Sequence, residues 1–220
     1  MRKIQIVSLV ILPCIVMSVI DAVICPGYIT KSAIKMVMFL LIPALYSILD
    51  RDVSLIKLLK PVKKGFWVSL CLGFLVYFII LGAYFVFKDI FDFSSLTKNL
   101  TKTTGVNKAN FLYVAIYISF VNSFLDEFFF RVFSFIALKQ FATRRFAYIF
   151  SSLMFSIYHI AMMIGWFDIF VILISLAGLF MGGMIFNRFD EKGENIFLSW
   201  LMHMFANFAT NTIGFILFAV

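Results

Sequence analysis

The chain has 220 residues, of which 63% are hydrophobic and only 14% charged, and its mean hydropathy is +1.05. Soluble domains run closer to half apolar and a quarter charged, so this composition excludes a soluble globular protein and predicts a polytopic membrane protein. The net charge of +8 does not point to nucleic acid, because the Lys and Arg residues lie in short connections between apolar runs, where they set membrane topology.

In chain order, seven apolar segments occupy 4–24, 33–49, 66–87, 111–138, 146–166, 169–186 and 196–220. A helix needs about 20 apolar residues to cross a bilayer. Segment 33–49 is the weakest, being short, with Lys35 near its start and Pro43 inside. None alternates in the manner of a barrel strand, so the expected fold is all-α, a transmembrane bundle of about seven helices. The opening has the basic start and apolar core of a signal peptide. It lacks a small-residue cleavage site and runs past a typical core length, and it reads as a retained first helix. Cys14, Cys25 and Cys71 have no metal-type spacing and read as apolar filler. No repeat or low-complexity linker divides the chain. It reads as a single membrane domain, 1–220, with N-terminal helices over 1–105 and a core over 106–220.

Alternate connections differ in charge. Twelve basic residues fall on one side of the expected bundle, in the N-terminus and the second, fourth and sixth connections, and six fall on the other. Basic loops stay in the cytoplasm, so the expectation is a cell-membrane protein with its N-terminus cytoplasmic and its C-terminus outside. The basic stretch "VSLIKLLKP" before the third segment reads as a topology-setting loop; the alternative is an amphipathic turn lying on anionic headgroups.

Asp126, Glu127, Arg131, His159 and His203 lie well inside apolar segments, and these are both histidines of the chain. Asp21 and Lys35 lie near segment ends, where snorkelling is expected. A charge at mid-membrane costs at least about 2.5 kcal/mol, so such groups face a bundle interior and read as functional by default. The competing reading is an ion pair that only fastens helices. At about 100° per residue, Glu127 and Arg131 share a face, while Asp126 points about 100° away toward another helix. Asn122, one turn before Asp126, is placed to orient its carboxyl. His203 and Asn207 are also one turn apart on a single face.

The order "DEFFFR", "FSIYH", "HMFAN" on successive apolar helices resembles the CPBP family of intramembrane proteases, which comprises CAAX-processing endopeptidases and bacteriocin-processing or self-immunity proteins. Its motifs read Glu-Glu-x-x-x-Arg, Phe-x-x-x-His and His-x-x-x-Asn, and the resemblance covers roughly 111–214. It implies that Asp126 is the water-activating carboxylate, working with His159, and that Glu127 and Arg131 are the second acid and its arginine. His203 and Asn207 would hold the water or stabilise the oxyanion. The resemblance leaves metal dependence open, with zinc on His159, His203 and Asp126 as the form it would take.

One departure falls at a critical place: aspartate stands where the family has glutamate. The carboxylate is drawn back by about 1.5 Å, one carbon–carbon bond. Glu127, rotated into the cavity, is the alternative acid. Val132 stands where many members have glycine. The expected function is an intramembrane endopeptidase acting on membrane-associated proteins or peptides, with the bilayer and its substrate as partners and no nucleic acid. A polar cavity among the last four helices is expected to admit peptide from the cytoplasm or the bilayer. The alternative is a non-catalytic immunity or partner-binding protein of the same family. Counting along the helices places His159 nearer the outer face than Asp126, so a shared site requires a tilted or broken helix. The phenylalanines around Asp126 are expected to face lipid and neighbouring helices.

Overall fold

The computed structural model describes residues 1–50, 59, 65–91, 93–164, 167–193 and 195–219. Apart from Leu59, the "VSLIKLLKP" stretch lies outside the described residues. Among the described residues, seven helices are long and apolar enough to cross a membrane. They are α1 (Arg2–Ile24), α2 (Tyr28–Leu49), α3 (Phe66–Phe87), α5 (Phe111–Ala137), α6 (Arg144–Met163), α7 (Ile169–Gly193) and α8 (Phe197–Ala219). A shorter helix, α4 (Ser94–Thr104), lies in the connection between the third and fourth spans. Among the described residues there is no strand. The seven-helix expectation therefore holds.

Two spans are longer than hydropathy alone predicts. The second begins at Tyr28, which moves Lys35 from near an end to two turns inside the helix. The sixth continues to Gly193, which brings Asp190 and Glu191 into a helix instead of a connection. Both extensions carry polar residues that a hydropathy window rejects and that tertiary partners satisfy.

Helix α5 is the central element. Phe129, Phe130, Val132, Phe133 and Phe135 are fully buried, and Phe128 nearly so. The Phe39 ring of α2 stacks on Phe129 at 4.0 Å and meets Phe130 edge-on at 5.6 Å, geometries that aromatic pairs favour. The expectation that these phenylalanines partly face lipid is corrected: they are the core. Lipid-facing apolar surface is carried elsewhere, for example by Trp67, Phe78 and Ile79 of α3 and by Phe170 and Ile174 of α7.

Transmembrane helices associate through small residues and interhelical hydrogen bonds, because lipid is as apolar as the packing surface. A Cβ at Gly183 of α7 would come within 3.0–3.1 Å of Ser152 of α6, so this glycine permits close approach of the two helices. Asn187 Nδ2, one turn on, donates to Ser152 Oγ at 3.2 Å. At the end of α7, Glu191 accepts from Lys139 at 3.1 Å, from Arg144 at 2.6 Å and from the Tyr148 hydroxyl at 2.7 Å. Lys139, in the connection between α5 and α6, and Arg144, at the start of α6, are thus tied to a carboxylate at the end of α7.

Candidate active site

Helix α5 is wound wide in two stretches, Ile118–Asn122 and Phe128–Ala137, with π-type turns. Such turns open where an outside group engages the backbone, and they recur at functional sites. In the second stretch Ser151 Oγ of α6 donates to the Phe130 carbonyl at 2.7 Å; at the first stretch the outside groups come from one face of α8. Trp200 Nε1 donates to the Phe120 carbonyl at 3.2 Å, Asn207 Nδ2 to the Ile118 carbonyl at 3.0 Å, and Asn211 Nδ2 to the Ala115 carbonyl at 3.1 Å. This ladder fixes α8 in register against α5. It places His203 beside the paired acids.

The two acids separate as helix geometry predicts. Glu127 is fully buried. Its Oε2 meets Arg131 Nε at 3.3 Å, and its Oε1 meets His203 Nδ1 at 2.8 Å. A carboxylate only accepts, so Nδ1 of His203 carries the proton and Nε2 is the ring's other functional atom. The Arg131 guanidinium lies over the Phe155 ring at 4.4 Å, a cation–π contact that holds its flat face against α6. Glu127 is not among the residues lining the cavity described below; it orients His203 from behind.

Asp126 faces the other way, toward α2. Its Oδ1 lies 2.7 Å from Lys35 Nζ, and its Oδ2 accepts from Asn122 Nδ2 at 3.3 Å. Lys35 Nζ also donates to Asn122 Oδ1 at 2.7 Å, which closes a three-residue ring of polar contacts. The lysine is only 3% exposed, and its ammonium lies between the Phe39 and Tyr158 rings at 5.2 and 5.1 Å. This corrects the snorkelling expectation. With α2 starting at Tyr28, the shortest way to satisfy the lysine is a buried carboxylate and not the headgroup region. Asp21 likewise does not snorkel: its side chain is 0% exposed and pairs with Lys31 at 2.5 Å.

His159 sits where α6 breaks. Its amide reaches back to the Ser156 carbonyl at 3.1 Å, a tightened turn, before the helix resumes over Ile160–Met163. His159 and Asp126 line the same cavity. His159 Nδ1 lies 2.6 Å from the Phe155 carbonyl. A carbonyl only accepts, so Nδ1 holds the proton and Nε2 keeps its lone pair.

A cavity of 680 Å³ gathers Asn122, Asp126, His159, His203 and Asn207, together with Lys35. Its walls include Ile20, Tyr28 and Tyr84, so the first three helices also enclose it; the expectation of a cavity built from the last four is corrected. The sequence reading missed Lys35 as a site residue, and the i, i+4 spacing of Lys31 and Lys35 was the available signal. Asp190, fully buried in α7 and in electrostatic reach of Glu127 and Arg131, was also missed, because it reads as loop charge.

The residues do not fit the conditional zinc set. Among the described residues, no three His, Cys, Asp or Glu side chains are grouped to hold a metal ion. Asp126 already faces an ammonium ion at 2.7 Å.

No curated protein and no solved structure matched the chain. Residues 108–209 match the family described as type II CAAX prenyl endopeptidase Rce1-like. The match contains all three motifs and ends just beyond Asn207; Lys35 lies outside it. Motif order, the helices that carry the motifs and the family match agree: residues 108–209 carry an Rce1-like domain, which is consistent with the CPBP family of CAAX-endopeptidase-like intramembrane proteins.

Proposed function

We propose that the chain is an intramembrane endopeptidase in which Asp126 and His159 activate a water molecule. The observation that carries this reading is that one cavity is lined by Asp126, His159, His203 and Asn207 from three helices. In the proposed step, Asp126 holds the water and the His159 Nε2 lone pair takes its proton as the water oxygen attacks the peptide carbonyl. The carbonyl oxygen gains negative charge and needs preorganised donors. Asn207 has a second amide hydrogen beyond the one given to Ile118, and His203 becomes a donor at Nε2 when protonated. Glu127 behind His203 stabilises that cation, an arrangement parallel to the buried acid of a hydrolytic triad. The proton held by His159 then passes to the departing amine. Lys35 positions Asp126 through the 2.7 Å contact of its ammonium with Oδ1. The protein lies in the cell membrane with its N-terminus in the cytoplasm, and its substrates are peptides or membrane-associated proteins.

The test is cleavage of candidate peptides by protein reconstituted in liposomes, comparing the parent with His159→Ala and His203→Ala. Both variants should lose cleavage by at least about a hundredfold, as removal of a general base or an oxyanion donor does. Full activity in both would overturn the reading.

A second reading is favoured by one contact. Both Asp126 oxygens are engaged, by Lys35 and by Asn122, which suits a latch that binds a partner peptide without cutting it. Peptide binding with no product under any condition would select this immunity-type role.

A further inference from the structure

The cavity occupies one half of the bundle. Its walls come from the C-terminal ends of α1, α3, α6 and α8 and the N-terminal ends of α2, α5 and α7, as Cys25, Phe87, Tyr28, Phe111 and Leu217 show. In an up-and-down bundle these ends share one face. Helix α4 lies across that face: Leu96, Thr97, Leu100, Thr103 and Thr104 line the cavity, while Lys98 and Lys102 are exposed. Leu100 packs beside Val106 and Phe111 and seats this roof. Asp21 and Lys31 line the cavity near the roofed helix ends, whereas Lys35, Asp126 and His203 line it deeper and form its floor.

The connections on the roofed face are those that carry few basic residues; by sequence the other connections and the N-terminus carry twelve, and of these the described Lys139, Arg144 and Arg188 sit at the opposite helix ends. Basic connections are retained in the cytoplasm. Phe111 and Asp126 line the cavity on the same helix, fifteen positions apart, which is about 20 Å at helical rise. An extended chain covers about 3.3 Å per residue.

We propose that this site is loaded from the extracytoplasmic side, past α4, by an extended peptide segment that reaches about six residues down to Asp126. Among the described residues, the buried Glu127–Arg131 pair and the phenylalanine core lie on the other side of the floor. The substrate class is therefore an exported peptide, or the outward-facing end of a membrane protein, and not a cytoplasmic chain. The inference rests on the protease reading for what becomes of the peptide, but not for where it enters.

Cys25 is a native reporter on the cavity wall. A protein carrying Cys14→Ala and Cys71→Ser keeps it as the single thiol; adding Cys25→Ser and Lys98→Cys moves the thiol to the outer surface of α4. Intact cells are treated with a membrane-impermeant charged maleimide. Both proteins should be labelled, with no gain on permeabilisation. Labelling of either one only after permeabilisation overturns the route. In liposomes, a peptide whose scissile bond lies about three residues from a folded domain should be spared, and one about ten residues away should be cut. Cleavage of both overturns the reach. Outside labelling with no cleavage of any peptide would leave the route standing and count against the protease reading alone.

Discussion

At the scale of single residues, the Asp126–Lys35 contact decides what substitutions should do. Removing one member of a buried ion pair costs about 3–5 kcal/mol, because the other charge stays buried and unpaired. Asp126→Asn should therefore lose both cleavage and thermal stability in detergent. Lys35→Met with Asp126→Asn should recover most of the stability and none of the cleavage. If the double variant is no more stable than the single ones, the pair is not coupled as the 2.7 Å contact implies. The missing methylene of Asp126 also gains a physical context. Lengthening the side chain by about 1.5 Å drives the carboxylate into the ammonium. Asp126→Glu should thus lower turnover by about ten- to a hundredfold, since misplacements of about 1 Å carry such penalties. An increase in turnover would show that the shorter acid hampers the enzyme.

At the scale of helices, α5 owes its position to groups on its neighbours. Arg131→Ala strips the fully buried Glu127 of its cation and should lower stability by about 3–5 kcal/mol, read as a fall in melting temperature together with weakened cleavage. Normal stability would argue against the buried pair. The α6–α7 seam gives an independent test of packing. Gly183→Val places new atoms against Ser152, whereas Gly178 has open space around its Cβ position. The first substitution should reduce folded protein in the membrane by about 1–3 kcal/mol of overpacking, and Gly178→Val should be tolerated. Equal yields of the two would show that the close approach is not required.

At the scale of the whole molecule, the family match at 108–209 covers less than the site requires. Helices α1 to α3 wall the cavity, and α2 supplies the ammonium that holds Asp126. The donor set bears on metal dependence as well. Because Asp126 is committed to Lys35 and no ligand triad is assembled among the described residues, cleavage should persist within about twofold after exhaustive chelation; loss restored by added zinc would overturn this donor assignment.

Apolar run length determined the seven spans, because a bilayer admits only helices whose backbone is satisfied internally. The i, i+4 rule determined that Glu127 and Arg131 pair and that Asp126 turns away, since both follow from helical pitch alone. Three residue strings in order were enough to mark the family. What the sequence did not contain was which helix Asp126 faces. Lys35 is 91 positions away, and its partner is set by how α2 packs on α5 and not by any local pattern. The same holds for His159, whose place in the cavity depends on how α6 packs against its neighbours, and for the phenylalanines, whose composition suits lipid and core equally. Tertiary structure settled these points because burial makes an unpaired charge costly, and only the assembled bundle shows which charge is near enough to pair with it.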